Sequence, residues 1–156
     1  MDTIIIRPAI QEDLEILLQF EQGIIETERP FDITLKKRHI NYYDMAELIK
    51  SPKAEVVVAV DGEQVIGSGY ALIKEAKPYQ DHELYSYLGF MFVKPEYRGK
   101  GINRKIIDAL TEWSAGKGLA EMRLEVYAEN ESAIKAYEKA GFKPYMLQMR
   151  IGINRD

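Results

Sequence analysis

Val93-Lys94-Pro95-Glu96-Tyr97-Arg98-Gly99-Lys100-Gly101-Ile102-Asn103 forms a short basic turn between an apolar run and an amphipathic one. Its residue types suit an anion. Gly99 and Gly101 carry no Cβ, so backbone N–H groups beside them can approach a ligand closely. A helix opening at Gly101 adds N–H donors with no partner inside the helix, and the positive end of its dipole. Together these make a site for a phosphate.

The elements that must position this turn follow from hydrophobic spacing. Residues 4–7 read as a strand stopped by Pro8, and a helix follows from about Gln11. Leu14, Leu17, Leu18 and Ile25 share a face of that helix, which the polar Glu21 interrupts. Residues 26–32 read as a loop. A second helix is expected from Thr34, because Leu35, His39, Tyr42, Ala46 and Ile49 recur at helical spacing before Ser51-Pro52. Strands at 55–60 and 64–74 flank the hairpin signal Asp61-Gly62. Residues 84–93 form a long apolar strand of central type. Gly101 to Gly116 is a helix burying Ile102, Ile106, Leu110 and Trp113. Alternation marks a strand from Met122 to Tyr127. Asn130 caps a last helix that Gly141 stops, and a final strand is expected within 145–151.

The chain has 156 residues with 46% hydrophobic and 29% charged content, which suits one domain, 1–156, with its own core. It has no cysteine, so disulfides, thiolate metal sites and a cysteine nucleophile are excluded. A net charge of −4 speaks against nucleic acid as a partner. No apolar run reaches the length of a membrane span, and the first residues lack the pattern of a signal peptide. A cytoplasmic address is the expectation. His39 and His82 are too far apart to argue a metal site.

Arg98-Gly99-Lys100-Gly101-Ile102-Asn103 resembles the acetyl-CoA pyrophosphate loop of the GNAT superfamily of N-acetyltransferases. Arg98 and Gly101 match the family pattern; Asn103 stands where the family keeps Gly or Ala. A second block is similar to the family's other motif: Leu124-Glu125-Val126, then Asn130, Ala133, Tyr137, Glu138, Lys139, Gly141 and Phe142. Two motifs in the right order are far more specific than either alone. The resemblance implies an α/β (α+β) fold of GNAT type: a mixed twisted sheet of six to seven strands, helices on both faces, and fourth and fifth strands that splay apart.

It also implies roles. Acetyl-CoA would lie in the splay, with its pyrophosphate on the backbone of Arg98, Gly99, Lys100, Gly101, Ile102 and Asn103. Its pantetheine arm would pair with Met91, Phe92 and Val93 as an added strand would. Asn130 and Ala133 would contact the cofactor. Tyr137 would be the general acid, since a phenol can protonate a departing thiolate. The fourth strand lacks the carboxylate that many relatives use as base; Glu125 is an alternative, unless it pairs with Arg123 or a neighbouring strand, and Glu83 with a water chain stays open. Glu28, Phe31 and Asp32 would border a cationic amine, whether a small molecule or a peptide; otherwise they are a solvated loop. Homodimers are common in the family. A non-catalytic acyl-CoA-binding module is the rival reading.

Overall fold

A computed structural model of the chain describes residues 3–154. β1 (Ile4–Pro8) is followed by α1 (Leu14–Glu28), α2 (Met45–Lys50), β2 (Ala54–Asp61), β3 (Gln64–Glu75), β4 (Leu84–Val93), α3 (Ile102–Gly116), β5 (Met122–Arg123) and α4 (Glu131–Lys139). Neighbours in the sheet run β1-β2-β3-β4-β5, antiparallel up to β4 and parallel between β4 and β5. Among the described residues the sheet therefore has five strands, not the six to seven expected, within a mixed α/β fold.

Side chains of β2 alternate between two cores. Val57 and Ala59 meet Ile102, Ile106, Ile107 and Leu110 of α3 on one face. Val56, Val58 and Val60 meet Leu17 and Phe20 of α1 and Met45 of α2 on the other. The period of two in the strand and of 3.6 in the helices makes these layers. Removing side chains of this size from water contributes ~1.5–3 kcal/mol each.

Three expectations change. The region 26–32 is not all loop: α1 continues to Glu28, because no proline or glycine stops it before Pro30. The second helix does not begin at Thr34. Glu21, fully buried, accepts backbone hydrogen bonds from Tyr42 (2.6 Å) and Tyr43 (2.8 Å) with Oε2. Those N–H groups are thus engaged outside any helix, and α2 starts only at Met45, where the Asp44 side chain caps it. This explains the polar break in the α1 stripe. Glu21→Ala would leave two buried donors unpaired, and a loss of about 1–3 kcal/mol is expected in urea unfolding. An unchanged midpoint would show that Glu21 does not hold this segment.

The third change concerns the strands after α3. β5 is confined to Met122 and Arg123, and residues 145–151 join no ladder. For the short β5 the cause lies in β4. Ser68 pairs with Phe92 and Tyr70 with Gly89, so Phe90 and Met91 stand opposite Gly69 alone. This bulge puts Phe90 at φ 58°, in the left-handed region, with its carbonyl held by the buried Ser68 hydroxyl at 3.0 Å. A bulge bends its strand and ends regular pairing. β5 pairs only with Ser86 and Tyr87, ahead of the bulge, and the two strands part beyond it.

Candidate active site

The expected residues lie along β4, the turn after it and α4, with Glu125 across from Tyr87 of β4. Beyond Tyr87 the outer edge of β4 has no ladder partner among the described residues. An extended ligand could pair there as a strand would. Met91 packs into the α3 core, while Phe92 stacks on Phe20 with centroids 4.6 Å apart.

At the end of β4 the chain makes a 3-10 turn, Pro95–Tyr97, and then the glycine turn. Gly99 has φ 77° and Gly101 φ 79°, conformations that favour glycine, and a Cβ at either would meet nothing within 4 Å. Gly101 caps α3 without any side chain accepting from the first turn. The N–H groups of Ile102 and Asn103 therefore face out of the helix end, as a phosphate requires. Arg98 is placed differently from the expectation. Its N–H donates to Pro95 and its Nε to the Val93 carbonyl at 2.9 Å. The Arg98 guanidinium thus braces the turn from within. Lys100 lies over the Tyr97 ring at 5.5 Å. Asn103 is half-buried.

α4 faces this turn. The Arg104 guanidinium donates to the Lys139 carbonyl, tying the first turn of α3 to the last of α4. The Asn130 side chain accepts from the Ala133 N–H at 3.3 Å, so both residues serve the N-cap of α4. Tyr137 packs against the α3 core and meets Phe142 edge-on at 5.9 Å. Burial, with the charge of Glu28 as the lesser cause, pushes the Tyr137 phenol up to about 12.

Glu28, at the last turn of α1, is the carboxylate whose charge reaches Tyr137. Its pKa is raised, mainly by burial, and Asp32 adds to the rise while Tyr42 opposes it. Its charge also reaches Tyr42 and Tyr127. Phe31 stacks on Tyr127 at 6.2 Å. Asp32 is fully engaged: it accepts from the Thr34 hydroxyl at 2.5 Å, from Arg150 at 2.8 Å, from the Thr34 N–H at 3.0 Å and from the Tyr127 hydroxyl at 3.0 Å. These bonds hold its carboxyl well below the usual range. Asp32 is thus a tie between α1 and two later segments, while Glu28 has no cation beside it among the ion pairs of the described residues.

Glu125 does not pair with Arg123, which is taken by Glu121 at 2.6 Å. It accepts instead from the Tyr87 hydroxyl at 3.1 Å, across the gap between the strands. Burial first, then the Glu125 charge, raises the Tyr87 phenol, so Tyr87 stays a donor. Sequence reasoning missed Tyr87, Tyr127 and the Ser68–Phe90 bulge. Tyr127 carried a local signal, since it lies two residues beyond Glu125 in the alternating run 122–127. The partner of Glu125, 38 residues away, left no local signal.

Among the described residues no group of three or more His, Asp or Glu is placed to hold a metal, and no helix is long and apolar enough to cross a membrane.

Residues 18–142 match the family model described as "Acetyltransferase (GNAT) family". N-alpha-acetyltransferase 30 of Schizosaccharomyces pombe is 32% identical over 97 residues, 62% of this chain and 63% of that protein. The chain spans less than two thirds of the length of the first curated relatives it matches. A crystal structure of a tetramutant protein from Bacillus halodurans superposes with a TM-score of 0.84 at 19% identity, covering 96% of this chain and 99% of that one. A Clostridium acetobutylicum structure described as a predicted acetyltransferase with acetyl-CoA gives a TM-score of 0.72 at 15% identity, covering 96% of each chain.

Proposed function

Because the chain belongs to the acetyltransferase (GNAT) family, we propose that it moves an acetyl group from acetyl-CoA to a primary amine by direct attack in a ternary complex. The observation that carries this reading is the unpaired outer edge of β4 leading straight into the Gly99–Gly101 turn. That edge fits a pantetheine arm, and the open helix start fits a pyrophosphate. When bound, acetyl-CoA supplies the thioester carbonyl that an amine attacks.

The chain's own groups then have distinct tasks. Gly99, Lys100, Gly101, Ile102 and Asn103 offer backbone donors to the pyrophosphate, with Arg98 bracing the turn from inside. Met91, Phe92 and Val93 present the strand edge. Asn130 and Ala133 fix the start of α4 and so aim Tyr137. The bound ammonium first passes one proton through Glu125 to solvent, which frees its lone pair; as the nitrogen–carbon bond forms and the carbon–sulfur bond breaks, the second nitrogen proton goes to Glu125 and the Tyr137 proton to the departing sulfur. The bond from Tyr87 orients Glu125 for this.

Glu28 receives the acceptor as an ammonium ion. Its carboxylate is desolvated without a cation to offset the cost, which is the state of a site that gains by binding one. Phe31 and Tyr127 wall it, and Asp32 holds Tyr127 in place. Glu28→Gln is expected to raise the acceptor KM about 10–100-fold with a smaller change in kcat, in keeping with loss of a charge-assisted bond. A KM within twofold of the parent would remove Glu28 from the acceptor site.

The reading as a whole is tested by thiol release from acetyl-CoA across small amines, amino acids and peptides with free N-termini. Amine-dependent release is expected. Tight CoA binding with no release on any acceptor would overturn it in favour of a binding module.

A further inference from the structure

The loop between α1 and α2 carries Lys36-Lys37-Arg38-His39, a basic run in a chain whose net charge is −4. All of these residues are exposed. Among the described residues none of them forms an ion pair. The acids nearest in sequence are already engaged: Glu26 with Arg29 at 2.9 Å, and Asp32 with Arg150 at 2.8 Å. Three adjacent positive charges with no anion from the chain repel one another and gain when an outside anion covers them.

Arg29 gathers the loop. Its Nη1 donates to the Lys36 carbonyl at 2.7 Å and its Nη2 to the Arg38 carbonyl at 3.1 Å. The two carbonyls turn toward α1, and the basic side chains stay in solvent. Arg29 directly follows Glu28. The loop backbone therefore lies within one arginine side chain of the residue next to the carboxylate that the acceptor site uses.

We propose that Lys36, Lys37 and Arg38 form a docking surface for the acidic stretch of a peptide whose free amine enters the acceptor site at Glu28. This rests on the acetyl-transfer reading. Glu28 attracts the ammonium and repels carboxylates beside it, so the acidic side chains belong further along the peptide, where the basic loop stands. An amine too small to reach the loop gains nothing from it. A nucleic acid fits less well. The net charge repels a long polyanion, and a four-residue run spans at most about 14 Å, short of the many phosphate contacts that such binding draws on. Exposed charges act through a screened field, so the gain lies in encounter and KM and fades with salt.

Peptides of one length with a free N-terminus, carrying Glu, Gln or Lys in the C-terminal half, test this. At saturating acetyl-CoA, KM is expected to rise in the order Glu, Gln, Lys, by about tenfold from first to last at low salt, as a few exposed charge pairs would give. The order should level out by about 0.5 M salt. Replacing Lys36, Lys37 and Arg38 together by Gln should flatten it, and replacing all three by Glu should reverse it. Neither variant alters the backbone carbonyls that Arg29 holds. Acetylation indifferent to peptide charge, or an order unchanged in the Glu variant, would overturn the proposal and leave acetyl transfer intact. If CoA binds and no peptide is acetylated, the acetyl-transfer reading falls instead. Fluorescence anisotropy of the labelled peptides with the full chain then decides the docking surface alone. Salt-sensitive binding of the Glu peptide that the Glu variant loses would support it. Equal binding of the Glu and Lys peptides, or tighter binding of a single-stranded oligonucleotide of the same charge, would overturn it.

Discussion

Tyr137→Phe is expected to lower kcat by about 10²- to 10⁴-fold, the usual contribution of a positioned acid or base, while CoA affinity stays within about twofold. The ring fills the space between the α3 core and Phe142, and phenylalanine keeps that packing. What the substitution removes is the phenol proton that the proposed mechanism gives to the departing sulfur. The pH profile checks the assignment further. Burial raises the Tyr137 phenol to about 12, with the Glu28 charge adding to the rise. A raised phenol pKa favours the proton-bearing form, so Tyr137 remains a donor across the neutral and mildly alkaline range. The parent enzyme should therefore gain activity as the acceptor amine deprotonates, with no alkaline fall up to about pH 10, where an ordinary phenol would be half ionised. Turnover unchanged in Tyr137→Phe, or a fall centred near pH 9, would remove Tyr137 as the acid.

Glu125→Gln is the second large effect. The amide keeps an oxygen that can accept from Tyr87, so the geometry of the gap should persist, but it cannot take a proton. A loss of about 10²- to 10⁴-fold in kcat is expected at neutral pH. Part of it should return at high pH, where more of the amine arrives unprotonated. Tyr87→Phe separates orientation from chemistry: the base remains but is no longer held, so a smaller loss, about tenfold, is expected with the pH profile unchanged. Full activity in Glu125→Gln across the pH range would dismiss Glu125 and leave Glu28 as the carboxylate to test in its place.

Much of the frame was legible because its signals are local. The hairpin at Asp61-Gly62, the alternation in β2 and the helical spacing of Ile102, Ile106 and Leu110 each lie within one element. The second helix was misread for a reason of distance. Leu35, His39 and Tyr42 fit a helical period, but Glu21, on another element, engages the Tyr42 and Tyr43 N–H groups first. The missing strands fail differently. Residues 124–127 have the alternation of a strand, yet a strand exists only beside a partner, and the β4 bulge withdraws it; residues 145–151 alternate too and join no ladder.

By itself the sequence determined that a glycine turn opens a helix after an apolar strand, and that Asn130 starts the helix bearing Tyr137. These follow from backbone preferences and caps that act over a few residues. Only the tertiary structure decided which carboxylate meets which phenol: Glu125 with Tyr87, and Glu28 as the charge felt at Tyr137. These groups come from α1, β4, α4 and the stretch after β5. Their separation in space is set by packing across the sheet, which no spacing along the chain records.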